Sequence, residues 1–218
     1  MSDSEYLSEA SRLAQELAPA IADTRVLAAI ASIPRERFVE AGLRDRAYAN
    51  VALPISCEQT ISQPLVVARM LELLELSAAD RVLDVGTGSG YHAALLALLA
   101  GEVYTVERHA DLARDAERKI AELGFDNVHF KVGDGWRGSL EHAPFDAINV
   151  AAATGAEPPP ALVEQLAPGG RLVAPVGEAK QRLTLIRRTT SGITQARLEG
   201  VRFVPLVHDD APLPEPDS

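Results

Sequence analysis

The sequence has little cysteine and a deficit of positive charge. Cys57 is the only cysteine, so the chain can form no intramolecular disulfide and no thiolate zinc site. Lys and Arg number 21 against 31 Asp and Glu, which gives a formal net charge of −10. Because nucleic-acid binding needs a basic surface, we expect no nucleic-acid partner. The missing disulfides favour a reducing compartment, and we expect a cytoplasmic protein.

Long apolar runs are missing as well. The hydrophobic segments are too short and too interrupted to span a membrane, so we expect no membrane partner. The first nine residues contain three acids and no apolar core, unlike a secretory signal. With 218 residues, of which 47% are hydrophobic and 24% charged, the composition is that of a globular protein that can bury a core. We expect a monomer with no metal site.

From residue 64 onward, strand and helix patterns alternate. Pro64 opens a helix of strong apolar periodicity. Further helices are predicted at 91–99, 110–123 and 160–166, and strands at 81–85, 102–106, 128–132, 145–150, 171–175, 182–188 and 201–205. This alternation predicts a doubly wound, mostly parallel α/β sheet with helices on both faces, in which the final two strands run antiparallel.

The first third of the chain reads as helical. Helices are predicted at 5–17 and 23–32, the second with Asp23 as its N-cap, and a long irregular loop at 47–62 follows. We divide the chain into an N-terminal helical extension with this loop (1–63), an α/β core (64–208) and a tail (209–218). Because prolines alternate with acids in the tail, we expect it to be disordered.

The sharpest local signal is a glycine-rich loop that follows an apolar strand and opens a helix. It reads Val82-Leu83-Asp84-Val85-Gly86-Thr87-Gly88-Ser89-Gly90. Glycines allow positive φ and let a ligand approach the backbone closely. In an open α/β sheet such a turn lies at the carboxyl end of a strand, where ligands bind.

The spacing of this loop favours S-adenosylmethionine over NAD. The dinucleotide pattern is G-x-G-x-x-G, whereas this loop reads G-x-G-x-G with Asp84 two positions before the first glycine. A carboxylate suits the cationic amine of S-adenosylmethionine, but it would lie close to the pyrophosphate of NAD. A tight turn without any ligand is the remaining interpretation.

Two further acids end the next predicted strands. Glu107 can accept both ribose hydroxyls, and Asp134, in Gly133-Asp134-Gly135, can meet the adenine amino group. Three acids at successive strand ends make a plausible nucleoside cleft, although Asp-Gly alone is a common turn. The predicted cofactor site comprises Asp84, Gly86, Thr87, Gly88, Ser89, Gly90, Glu107, Arg108, Gly133, Asp134 and Gly135.

These motifs, together with others, resemble the protein-L-isoaspartate O-methyltransferase family. The match covers about residues 23 to 207, in order and with similar spacing. Its most specific segment is Gln59-Thr60-Ile61-Ser62-Gln63-Pro64. The others are Pro34-Arg35-Glu36-Arg37-Phe38-Val39, Ala52-Leu53-Pro54-Ile55, Asp84 to Tyr91, Val103 to Arg108, Gly133-Asp134-Gly135, Ala143-Pro144-Phe145-Asp146, Gly169-Gly170-Arg171-Leu172-Val173 and Val201-Arg202-Phe203-Val204-Pro205-Leu206.

The resemblance implies a class I, Rossmann-like methyltransferase with S-adenosylmethionine as cofactor. Its reaction is methyl transfer to the α-carboxylate of isoaspartyl residues in damaged proteins or peptides, so that aspartate can be restored. The family's active-site serine falls on Ser62. Thr60 and Ser62 lie just before a helix N-terminus, where a carboxylate is favoured, and we assign both to the catalytic site. Taken without the family, Ser62 would be read as an N-cap.

The chain departs from the family pattern in two segments that are expected to frame the substrate. Ser56-Cys57-Glu58 replaces Gly-x-Gly, and Ala151 to Gly155 differs from the usual Thr-Ala-Ala-Ala-Pro. Glu58 could point inward, where it would repel an anionic acceptor, or outward into solvent. A different carboxylate acceptor, as in modified-peptide biosynthesis, is therefore one alternative, and a non-catalytic S-adenosylmethionine-binding domain is another. His92, at a position where the family often has Gln, is expected to line the site rather than act as a base.

Overall fold

The computed structural model describes residues 3–208, except the side chains of residues 3–5 and 7. The predicted disordered tail lies outside this range. The N-terminal elements are α1 (Asp3–Leu17), α2 (Thr24–Ser32), the hairpin strands β1 (Leu53–Pro54) and β2 (Thr60–Ile61), and α3 (Pro64–Leu74). The elements that follow are β3 (Arg81–Val85), α4 (Tyr91–Leu99), β4 (Glu102–Glu107), α5 (Ala110–Glu122), β5 (Val128–Val132), β6 (Phe145–Val150), α6 (Pro160–Glu164), β7 (Leu166–Val176), β8 (Gln181–Thr189) and β9 (Gly192–Val201).

The strands from β3 to β9 form one sheet in the order β5-β4-β3-β6-β7-β8-β9. The first five strands of this order run parallel, whereas β8 is antiparallel to both β7 and β9. The chain winds outward from β3 through β4 to β5, then returns to the other side of β3 with β6. The sheet order therefore reverses at the carboxyl end of β3, where ligands bind in folds of this type.

Helices cover both faces of the sheet, which confirms the predicted fold class. On one face a single hydrophobic cluster joins α1 to α5 with the strands; its members include Leu13, Ile30, Met70, Leu95 and Val103. The opposite face has a smaller cluster under α6 that includes Leu83, Ile148, Leu162 and Leu172. The alternating side chains of β3 supply both clusters, with Val82 in the first and Leu83 in the second. The proposed division at residues 63 and 64 stays a prediction.

Local sequence signals set the ends of several elements. The Asp23 side chain accepts a hydrogen bond from the Arg25 backbone amide and caps α2, as predicted. Gly124 follows α5 with a φ of +82°, a left-handed conformation that suits glycine and ends the helix. The strands β3 and β5 and the helix α4 have the predicted bounds.

The last predicted strand, 201–205, is wrong in position. The edge strand is β9 (Gly192–Val201), in a segment that the sequence assigned to a connection. Nearly every side chain of β9 is exposed, so this strand has no apolar alternation for a pattern search to find. Its antiparallel direction was predicted correctly.

The predicted irregular loop at 47–62 contains the short β1–β2 hairpin. Leu53 and Ile61, the register partners of this hairpin, are both buried. Within residues 3–208, no helix combines the length and the apolar character that crossing a membrane requires.

Candidate active site

The glycine loop, residues 86–90, connects β3 to α4 and needs glycine for its backbone shape. Gly86, Gly88 and Gly90 have φ values of +90°, +52° and +90°. These are left-handed conformations that other residues adopt only at a cost. Gly90 also packs tightly, because an added Cβ would lie 3.0 Å from the Cβ of Ala116. The loop therefore lets α4 begin directly behind the carboxyl end of β3.

A cleft opens above this loop at the carboxyl edge of the sheet. Its walls come from the hairpin (59–62), the glycine loop (86–89), the end of β4 with the residues that follow it (106–109), and a C-terminal strap, residues 204–207. The rest of the lining consists of Val67, Tyr91, His92, Gly135, Ala151 and Ala152. Of the predicted site residues, Thr60, Ser62, Gly86, Thr87, Gly88, Ser89, Glu107, Arg108 and Gly135 line this cleft.

Glu107 lies at the end of β4 with its carboxylate held by two backbone amides. One oxygen accepts a hydrogen bond of 2.9 Å from Gly88 N, and the other accepts one of 3.0 Å from His109 N. Glu107 is 6% exposed and lines the cleft. Each carboxylate oxygen has a further lone pair, so the group is fixed in place and can still accept two hydroxyl donors.

Asp84 lies beneath the glycine loop and is not part of the cleft wall, so its placement differs from the predicted one. Its Oδ1 accepts a hydrogen bond of 2.7 Å from Asn149 Nδ2, and its Oδ2 accepts one of 2.9 Å from Thr105 Oγ1. Asp84 is completely buried. Burial raises the pKa of its carboxyl group to about 6, although both hydrogen bonds oppose the shift.

Thr60 and Ser62 line the cleft from the hairpin. The N-cap of α3 is Gln63, so Ser62 does not occupy the capping position. The backbone amide of Leu65, in the first turn of α3, donates instead to the side chain of Asn50. The carbonyl of Ser62 accepts a 2.8 Å hydrogen bond from the buried guanidinium of Arg35. Ser62 is thus held through its backbone, while its side chain is half-buried in the cleft wall.

The Gly133-Asp134-Gly135 turn lies beside the cleft rather than across it. Asp134 caps a short 3-10 helix (Gly135–Arg137) by accepting a hydrogen bond from Trp136 N. Gly135 does line the cleft, and an added Cβ there would lie 2.6 Å from Cγ1 of Val85. Only glycine fits at this point without a shift of the neighbouring strand. Gly133 donates its amide to the Glu107 carbonyl at 2.9 Å, which keeps the turn close to β4.

The C-terminal strap was not predicted as part of the site. It is fixed to the segment that follows β6 by two backbone hydrogen bonds, from Ala153 N to Val204 O at 2.8 Å and from Leu206 N to Ala153 O at 2.7 Å. Arg108 donates to the carbonyl of Val207 at 3.0 Å. The side chain of Leu206 packs against the smaller hydrophobic cluster. The strap contains no motif of chemically active side chains that would mark it in the sequence.

The hairpin turn contains the departure from the family pattern. Cys57 and Glu58 have φ values of +58° and +57°, so two residues with side chains adopt a left-handed conformation. The side chain of Glu58 is exposed, and the residue does not line the cleft. Of the two orientations considered for Glu58, the structure shows the outward one. Ala151 and Ala152, in the second departing segment, do line the cleft.

S-adenosylmethionine fits the residues that line this cleft. Glu107 offers two fixed acceptors for a ribose diol, and Gly86 and Gly88 let a ligand approach the loop backbone. In the described part of the chain, no group of three His, Cys, Asp or Glu side chains could hold a metal ion.

Sequence comparison finds a family model and relatives that carry the same enzyme name. A family model described as protein-L-isoaspartate(D-aspartate) O-methyltransferase matches residues 9–211. A protein-L-isoaspartate O-methyltransferase from Aeromonas hydrophila is 52% identical over 198 residues, which cover 91% of this chain and 96% of that one. The enzyme of the same name from Rhodospirillum centenum is 51% identical, with 88% of each chain covered.

Two solved structures extend the similarity to the fold. A protein-L-isoaspartate O-methyltransferase superposes with a TM-score of 0.82 at 28% identity; the alignment covers 90% of this chain and 65% of that one. A Plasmodium falciparum protein assigned to the same activity, solved in complex with S-adenosyl-L-homocysteine, superposes with a TM-score of 0.79 at 28% identity, with 91% and 98% covered. The chain therefore belongs to the protein-L-isoaspartate(D-aspartate) O-methyltransferase family.

Proposed function

We propose that the chain transfers the methyl group of S-adenosylmethionine to the α-carboxylate of L-isoaspartyl residues in damaged proteins or peptides. The observation that supports this most directly is that one cleft brings together two sets of residues. Thr60 and Ser62 face it from the hairpin, and the glycine loop and Glu107 face it from the sheet. An acceptor and a methyl donor can thus bind side by side.

S-adenosylmethionine, when bound, supplies an electrophilic methyl group on a sulfonium. The acceptor carboxylate is ionised at neutral pH and is already a nucleophile, so the site needs no general base. The methyl–sulfur bond breaks as the methyl–oxygen bond forms, leaving a thioether and a neutral ester. The work of the protein is to align the two groups and to exclude water.

We assign the binding of the cofactor and of the acceptor to different residues. Glu107, held by Gly88 and His109, would bind the ribose hydroxyls. The hydroxyls of Thr60 and Ser62 would donate hydrogen bonds to the acceptor carboxylate and fix its orientation. Arg35 supports that orientation because it fixes the backbone of Ser62. The strap lines the cleft and would limit the entry of water beside the bound cofactor.

A methyl-transfer assay with matched isoaspartyl and aspartyl peptides tests the proposal. We expect base-labile methyl ester on the isoaspartyl peptide and none on its aspartyl counterpart. Transfer to a different carboxylate, with none to isoaspartate, would establish the alternative acceptor. Binding of S-adenosylhomocysteine without transfer to any carboxylate would indicate a non-catalytic domain.

We further propose that the enzyme acts as a monomer in the cytoplasm. Its single cysteine is exposed and free, which suits a reducing compartment. Light scattering coupled to size exclusion and fractionation of expressing cells would check the two statements. A stable dimer at micromolar concentration, or enzyme found in the membrane or periplasmic fraction, would contradict them.

A further inference from the structure

Four buried polar side chains form a continuous hydrogen-bonded row beneath the glycine loop. Asn149 Nδ2 donates to Asp84 Oδ1 at 2.7 Å, and Thr105 Oγ1 lies 2.9 Å from Asp84 Oδ2. The hydroxyl oxygens of Thr105 and Thr87 are 2.6 Å apart. Three of these residues are completely buried, and Thr87 is 3% exposed. The row thus joins β6, β3 and β4 to the tip of the loop.

The chemistry of these groups determines which one donates each hydrogen bond. An ionised carboxylate only accepts hydrogen bonds, so Thr105 must donate its single hydroxyl proton to Asp84. The bond between the two threonines then needs Thr87 as its donor. Both hydroxyl protons therefore point toward Asp84, and the carboxylate orients Thr87 through Thr105.

The placement of Asp84 argues against direct contact with a ligand. Its side chain is completely sheltered, and the cleft is lined by Thr87, Gly88 and Glu107 above it. Desolvating a carboxylate in this way is costly unless its hydrogen-bond partners are fixed. Asn149 and Thr105 supply those partners from the two strands that flank β3.

We propose that Thr105 is a positioning residue of the cofactor site, through which Asp84 fixes Thr87 and the glycine loop without touching the cofactor's amino group. The inference rests on the proposed use of S-adenosylmethionine. Glu107 anchors the same loop independently, through Gly88. The loop therefore has two acidic anchors, one beneath it and one at its side, and only Glu107 reaches the cleft.

Two ligands distinguish a positioning role from direct contact. We would measure by calorimetry the binding of S-adenosylhomocysteine and of its analogue in which hydrogen replaces the amino group. Thr105→Val should weaken both ligands by the same factor, about 5–50-fold, because Asp84 and Thr87 each lose a buried partner. Thr105→Ser, which keeps the hydroxyl, should bind both nearly as the wild type does.

Thr184→Val is the matched control, since Thr184 is equally buried but lies on β8 and makes its hydrogen bond to the Arg182 carbonyl. It should leave both affinities unchanged. Asp84→Asn gives a second test that does not depend on the stability of the valine variant, and it should also weaken both ligands equally. A loss confined to the ligand with the amino group would overturn the proposal, as would unchanged binding in Thr105→Val.

The outcomes separate this inference from the proposed function. A wild type that binds S-adenosylhomocysteine but methylates no isoaspartyl peptide would refute the acceptor and leave the positioning role to be decided by the variants. A wild type that binds neither ligand would overturn both.

Discussion

The carboxylate of Glu107 accepts a 2.9 Å hydrogen bond from the backbone amide of Gly88, so the end of β4 is joined directly to the tip of the glycine loop. The same side chain lines the cleft. One residue thus shapes the loop and presents acceptors to the cofactor. Its removal should affect binding more than removal of an acid elsewhere on the same strand.

We expect Glu107→Ala to weaken binding of both S-adenosylmethionine and S-adenosylhomocysteine. The loss of charge-assisted hydrogen bonds should cost about 1.5–3 kcal/mol. Glu102→Ala is the matched control, because Glu102 begins the same strand with its side chain 47% exposed. Calorimetry gives both affinities, and an unchanged value in Glu107→Ala would remove this residue from the site.

For Ser62→Ala we expect turnover on isoaspartyl peptides to fall more than cofactor affinity. Ser62 lines the cleft from the hairpin, where its hydroxyl should contact the acceptor. Since Gln63 is the N-cap, the variant should not show the loss of about 1 kcal/mol typical of a removed cap. Steady-state kinetics and denaturant unfolding check the two parts. Normal turnover together with such a stability loss would instead assign Ser62 a capping role.

Glu58→Gly should stabilise the protein without changing its kinetics. Relief of the left-handed conformation should contribute about 1 kcal/mol, after the entropy cost of glycine is deducted. Ser56→Gly, at an exposed neighbouring position whose φ is not positive, is the control and should not stabilise. Because Glu58 is exposed outside the cleft, peptides with neutral or lysine neighbours should give the same constants in both proteins. A lower Michaelis constant in Glu58→Gly, dependent on salt, would show that Glu58 senses the acceptor.

His92 should contribute to stability in a pH-dependent way. Burial lowers the pKa of its imidazole to about 4, so the folded protein holds it neutral. The unfolded chain binds that proton at an ordinary pKa of about 6.5, so the contribution is complete above this pH and is lost as pH falls toward 4. The loss should reach about 2–3 kcal/mol relative to His92→Gln, which does not titrate.

Urea unfolding of wild type and His92→Gln between pH 4 and 8 measures this difference. His129→Gln is the control, since His129 is 47% exposed and pairs with Glu102. His92→Gln should keep its methyl-transfer activity, because the reaction needs no base. Equal pH dependence of stability in all three proteins would show that His92 does not titrate as its burial implies.

The sequence was most informative where the structure restricts the residues of one short segment. Apolar strands that end in glycines or acids predicted β3, β4 and the glycine loop, because buried strands and left-handed turns restrict residue choice strongly. The family and the cofactor were predicted correctly from these motifs and the segment around Ser62. The roles of individual site residues stay predictions.

What the sequence could not show depends on contacts between distant elements. Asp84 was assigned to the cofactor site because it precedes the glycine loop. Its burial depends on Thr105 and Asn149, which follow it by 21 and 65 positions and cannot be paired with it from one sequence. Thr105 and Asn149 are the register partners of Asp84 in β4 and β6, but both strands contain other polar residues, so neither stood out in the sequence. The strap has no motif of chemically active side chains, and β9 is exposed, so neither has a pattern that a single sequence could reveal.

The hydrophobic cluster that unites α1 and α2 with the sheet makes the folding of the N-terminal third inseparable from that of the rest. Leu13 and Ile30 belong to the same packed group as Leu95 and Val103, so unfolding either part exposes apolar surface on the other. The chain should melt in one cooperative transition, with equal calorimetric and van't Hoff enthalpies. A fragment that begins at residue 64 would lack the α1 and α2 side chains that pack in this cluster. Leu53 and Ile61 of the hairpin belong to the same cluster, so the segment with Thr60 and Ser62 should unfold together with the rest of the protein.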